Sequence, residues 1–139
     1  MRNRIVVAAA ALSVALLGAC TSRPPNQLSS TASVTVNGNN RNFHVVKCGQ
    51  SQWTRTIDIG ADVAGAKLVI DEGARPAIAQ SVHIHNLGGF TGMYSRGGDG
   101  DADLRMTDDK FTVTGTANGY KVDKPNEPAT ATFKIVVSC

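Results

Sequence analysis

Residues 129–139 read ATATFKIVVSC, and their alternation decides the fold class. Ala129, Ala131, Phe133, Ile135, Val137 and Cys139 fall on one face of an extended chain. Thr130, Thr132, Lys134 and Ser138 fall on the other. A period of two, carried by β-branched and aromatic residues, is the pattern of a strand with one face buried.

The same period recurs on going back along the chain. Phe111, Val113, Gly115 and Ala117 make one strand face, and Ala102, Leu104 and Met106 alternate with Asp101, Asp103 and Arg105. Asp108-Asp109 stands between these two runs, where a two-residue hairpin turn fits. The polar, proline-containing stretch from Asn118 to Pro128 is predicted to be a loop. Earlier, Phe90 to Tyr94 reads as a short strand, and Val82 and Ile84 alternate with Ser81, His83 and His85. Ala66 to Ile70 is a short apolar run stopped by Asp71-Glu72-Gly73. Trp53, Ile57 and Ile59 share a face opposite Thr54, Thr56 and Asp58. Phe43, Val45 and Val46 lead into Cys48, and Val34 and Val36 alternate with Ser33 and Thr35 before the turn-like Asn37-Gly38-Asn39-Asn40. Ala61 to Ala66 has room for a single helical turn, and no longer helix is expected. The predicted fold is all-β: a small antiparallel β-sandwich, or a partly open barrel, of about eight or nine short strands over residues 33–139.

The amino terminus follows another logic. Met1 to Cys20 reads MRNRIVVAAAALSVALLGAC, with Arg2 and Arg4 ahead of an apolar run from Ile5 to Leu17 and small residues before a cysteine. That is the layout of a secretory signal peptide over 1–19. The run is shorter than the roughly 20 residues a membrane-spanning helix needs. Leu17-Gly18-Ala19-Cys20 resembles the bacterial lipobox, in which the cysteine thiol is alkylated with diacylglycerol and the chain is cut before it. Cys20 would then be the lipidated first residue; the alternative is an ordinary secretory signal with an incidental cysteine. Thr21 to Thr31, TSRPPNQLSST, has no apolar periodicity, so residues 20–32 read as a flexible tether with plausible O-glycosylation sites.

Export restricts the chemistry. An envelope protein has no cytoplasmic nucleotide pool to draw on. Once Arg2 and Arg4 leave with the signal, twelve basic residues face eleven acidic ones, and no basic stripe remains for nucleic acid. Of the three cysteines, Cys20 is assigned to the lipid, and Cys48 and Cys139 are left as a disulfide pair in an oxidising compartment. A redox or metal-thiolate pair is the alternative, although neither thiol has an activating neighbour in sequence.

The lipobox, the Ser/Thr/Pro tether, Val34-Thr35-Val36-Asn37-Gly38, Cys48 after Val45-Val46, the run from Thr112 to Gly119 (TVTGTANG) and the terminal Ile135-Val136-Val137-Ser138-Cys139 together resemble the mycobacterial 19-kilodalton lipoprotein antigen family. The resemblance covers most of the chain after Cys20. It implies an acylated, surface-exposed cell-envelope antigen, often glycosylated, anchored to the membrane by its lipid and recognised through that lipid by host innate pattern-recognition receptors. It implies no enzymatic activity and no catalytic residues.

Three features could carry further chemistry. His83 and His85 project from one strand face and are weak candidates for a copper or zinc site, with His44 the remaining histidine. Solvent-facing histidines opposite core Val82 and Ile84 are the simpler expectation. Asp99-x-Asp101-x-Asp103 begins like a calcium loop, but Lys110 stands where the closing glutamate belongs and Leu104 where the glycine belongs. Gly88-Gly89, Gly92 and Gly97-Gly98 lack the lysine and helix of a phosphate-binding loop and read as strand turns or a mobile loop. No serine sits in a nucleophile elbow. The chain is therefore expected to be non-enzymatic and without a cofactor: an envelope protein that displays a surface, or alternatively a binding module for a lipid, glycolipid or metal ion.

Overall fold

The computed structural model describes residues 30–139. The expected signal peptide, Cys20 and the expected tether as far as residue 29 lie outside the described residues. Ten strands follow one another: β1 (Ala32–Val36), β2 (Asn39–Phe43), β3 (Val46–Ser51), β4 (Thr54–Ala61), β5 (Ala64–Asp71), β6 (Ile78–Leu87), β7 (Phe90–Ser95), β8 (Asp101–Thr107), β9 (Lys110–Lys121) and β10 (Lys124–Ser138). The fold is all-β, as the alternation predicts, and its pairings are antiparallel throughout.

All ten strands belong to one sheet, in the order β2-β1-β10-β9-β7-β6-β5-β4-β3. One edge of β9 is shared: its first half pairs with β8 and its last residues with β7. The two ends of the path are β2 and β3, which are consecutive in the chain and separated only by His44 and Val45. Three backbone steps reach roughly 10 Å, so the sheet must roll until its edges nearly meet. It is a nearly closed, barrel-like sheet, the more barrel-like of the two expected arrangements. At the seam the Gly60 N–H donates to the Val45 carbonyl at 2.8 Å. The Phe43 ring lies over Gly60, where a Cβ would stand 2.9 Å from Phe43 Cε1 and 2.7 Å from the Ala64 carbonyl oxygen.

The inward face fills the interior. Val34 pairs with Ile135 and Ile135 with Val113 on one run of strands. Ile57 pairs with Leu68 and Leu68 with Val82 on the other. All six are at most 1% exposed. Val36, Ile70, Ile84, Phe90 and Val137 complete the set of largest fully buried side chains, which leaves the interior packed rather than hollow.

Several local expectations differ. Asn118 to Pro128 is not a loop: β9 and β10 run on as a long hairpin, with Pro128 opposite Tyr120 and a register shift between Lys124 and Pro128. Prolines lack the N–H that a ladder needs, and the shift lets Pro125 and Pro128 sit on an exposed, irregular edge. Ala61 to Ala66 holds a hairpin corner, Ala61 facing Ala64, instead of a helical turn. The strand count rises to ten because NNRNF, which has no apolar alternation, still forms β2 by pairing with β1. Trp53 has the inward parity of Ile57, yet it is 68% exposed. The β3–β4 hairpin extends past the end of the core, so parity there no longer means burial.

Candidate functional site

Two of the three cysteines are accounted for by the fold. Cys48 on β3 and Cys139 after β10 are disulfide-bonded, with their Cα atoms 6.0 Å apart. The Cys139 N–H donates to the Asp109 carbonyl in the β8–β9 turn at 3.1 Å, so the bond pins the edge strand to the corner where β8, β9 and β10 end. Cys20 lies outside the described residues.

The histidines lie on the outer face. Val82 and Ile84 point inward and are buried, while His83 and His85 alternate with them and are exposed. Strand register makes a cross-strand row, Lys47 to Asp58 to Lys67 to His83, over β3, β4, β5 and β6. Gly60 and Gly65 face each other in the adjoining row, next to His85. These residues line a groove of about 690 Å³, open to solvent. Lys67 Nζ lies 3.7 Å from Asp58 Oδ1, and both side chains are 53% exposed, a pair that water largely screens. His44 belongs to the β2–β3 connection and does not line this groove. Among the described residues no group of three or more His, Cys, Asp or Glu side chains gathers as a metal site would require. What the groove offers is an amphoteric patch, two imidazoles, two ammonium groups and the carboxylates of Asp58 and Asp62.

The acidic run is dispersed by its strand. Asp101 and Asp103 occupy β8, where the Thr116 hydroxyl donates to Asp101 Oδ1 at 2.9 Å. Asp103 Oδ2 stands 3.6 Å from Arg105 Nε. Asp99 sits in the preceding connection. The glycines serve turns: Gly88-Gly89 joins β6 to β7, and Gly97-Gly98 lies between β7 and β8.

A second concave region escapes the sequence reading. Where the β3–β4 hairpin overhangs β8, Trp53, Arg55, Glu72 and Met106 line a groove of about 550 Å³. The one sequence signal for it is the placement of Gln52-Trp53 between two strands, where a side chain of inward parity has no core beneath it.

Residues 25–139 match the family model described as Mycobacterium 19 kDa lipoprotein antigen. A protein of Mycobacterium indicus pranii, named as a lipoprotein, is 70% identical over 139 residues, covering the whole of both chains. A similarly named protein of Mycobacterium avium subsp. hominissuis is 61% identical over 140 residues, covering this chain fully and 97% of its own. The Mycobacterium tuberculosis protein LppE, by name also a lipoprotein, is 32% identical over 108 residues, 78% of this chain and 77% of that one.

Proposed function

The chain belongs to the Mycobacterium 19 kDa lipoprotein antigen family, and from that premise we propose that it is an envelope protein anchored through acyl chains on Cys20. The observation that carries the reading is the division of the cysteines. Cys48 and Cys139 are joined to each other, which leaves Cys20, at the end of Leu17-Gly18-Ala19-Cys20, for the lipid. Residues 1–19 are removed as the signal, the tether runs from Cys20 up to the start of β1 at Ala32, and the β domain stands at the extracytoplasmic face. One acyl chain gives only marginal membrane binding, so two or more are expected.

The role we assign to the domain is display of a surface, without catalysis, with host innate receptors engaging the acyl chains. A filled interior supports this reading over carriage of a lipid, which needs an apolar cavity of several hundred Å³.

Intact mass of the protein purified from its native membrane tests the anchor. The expected species starts at Cys20, carries diacyl or triacyl mass and gains the mass of two hydrogens on full reduction. A mature chain that starts elsewhere and has no lipid overturns the reading.

A further inference from the structure

The groove under the β3–β4 hairpin combines an exposed tryptophan with a hydrogen-bonded array in which Arg55 is paired with Glu72. Trp53, the only tryptophan in the chain, is 68% exposed. Its anchorage is nevertheless fixed. The Glu72 N–H donates to the Trp53 carbonyl at 2.7 Å. The root of the indole lies against Gly73, where a Cβ would stand 3.2 Å from Trp53 Cβ and 3.3 Å from Cγ. A large apolar ring held in place at its backbone and left in water is informative in a way that a scattered surface leucine is not.

Beside it, three planar side chains close a ring of hydrogen bonds. Arg55 Nε donates to Glu72 Oε1 at 2.5 Å, Arg55 Nη2 to Gln50 Oε1 at 2.7 Å, and Gln50 Nε2 to Glu72 Oε2 at 2.8 Å. Arg55 is also stacked over Phe111, 5.2 Å from the ring centre. The guanidinium is thereby held between a carboxylate, an amide and an aromatic face. Two of its five N–H groups are used in the ring, and the carboxylate keeps lone pairs to spare. The array presents both donors and acceptors, and the charges of Arg55 and Glu72 cancel within it. Met106, 44% exposed, supplies a second apolar wall.

A sugar ring has the complementary make-up: C–H bonds on one face, and around the edge hydroxyls that both donate and accept. We propose that Trp53 and the Gln50–Arg55–Glu72 array form a binding site for a neutral saccharide, the ring stacked on the indole and its vicinal hydroxyls bonded to Arg55 and Glu72. Glu72 compensates Arg55 within the array, while Arg75 also lines the groove, so an acidic saccharide is the control for binding by charge alone. The site lies at the mouth of the rolled sheet, a usual place for ligand recognition on barrels. The proposal goes beyond anchoring and holds whether or not Cys20 is acylated.

Trp53 is its own reporter. The full-length protein as isolated, kept in a detergent without a sugar head group, is titrated with mannotriose, maltotriose, an arabinofuranose trisaccharide and, as the acidic probe, trigalacturonate. A saturable blue shift of Trp53 emission with at least one neutral probe is expected. Saturation-transfer NMR on that sugar should lose its signal in Trp53→Ala and weaken by about tenfold in Glu72→Gln. An unchanged melting temperature in Trp53→Ala assigns the loss to binding. Absence of any saturable change, binding of trigalacturonate alone, or undiminished binding to Trp53→Ala overturns the proposal.

Discussion

Cys48 and Cys139 are bonded across 91 residues, and the bond joins the edge strand β3 to the last residue of the chain. The seam between β2 and β3 is otherwise held by few groups, chiefly Phe43 on Gly60 and the Gly60–Val45 hydrogen bond. Loop-closure entropy over such a separation amounts to on the order of 4–5 kcal/mol in the unfolded chain. The double variant Cys48→Ser/Cys139→Ser is expected to lose about 2–5 kcal/mol in urea unfolding, and reduced wild type should share its midpoint. Equal stability of oxidised and double-serine protein would mean that the seam is self-sufficient.

Arg55 and Glu72 form an ion pair whose side chains are 23% and 15% exposed, whereas Lys67 and Asp58 are each 53% exposed. The first pair loses much of its hydration on folding and replaces it by mutual bonding. Removing one member therefore leaves a half-buried charge. Glu72→Ala is expected to cost about 1–3 kcal/mol, and Asp58→Ala under about 0.5 kcal/mol. Urea midpoints of the two variants measured side by side decide the point, and equal losses would show that both pairs are solvent-screened.

Much of the fold is legible in the alternation because burial on one face of a strand imposes it directly. Ile135, Val113 and Val82 stand in period-two runs and are fully buried. Three other features are silent for physical reasons. NNRNF forms β2 through backbone pairing, which leaves no apolar trace in side chains. Trp53 has the right parity, but parity gives the face and not whether anything covers it. Gln50, Arg55 and Glu72 come together only through strand register, since 22 positions separate Gln50 from Glu72. The resemblance of Leu17-Gly18-Ala19-Cys20 to a lipobox is visible for the opposite reason: a linear motif needs no strand register to be seen.

Leu68 sits between Ile57 and Val82 in the register of β4, β5 and β6, and all three are fully buried. Leu68→Ala is expected to destabilise the protein by about 2–5 kcal/mol, because neighbours on both sides are fixed by ladders and cannot collapse into the space. Trp53→Ala removes a larger side chain but should change stability by no more than about 0.5 kcal/mol, since most of the ring is already in water. Thermal unfolding of the two variants tests the contrast. A large loss from Trp53→Ala would assign the indole to the core.

Gly38 and Gly60 have nearly the same backbone conformation, with φ of 83° and 82°, in different surroundings. A Cβ on Gly38 would meet nothing within 4 Å, whereas one on Gly60 would press on the Ala64 carbonyl and on Phe43. Alanine at either position incurs the left-handed penalty, about 1–2 kcal/mol. Only Gly60→Ala must also push Phe43 off the seam, an overpacking cost of about 1–3 kcal/mol. The difference between the two variants in chemical denaturation therefore reports crowding against Ala64 and Phe43 apart from the backbone strain. Gly60→Ala should be the less stable by that margin, and its β2–β3 amides should exchange with solvent faster than those of Gly38→Ala. Equal stabilities would mean that Ala64 and Phe43 both move aside freely and that the Phe43–Gly60 contact does not hold the sheet closed.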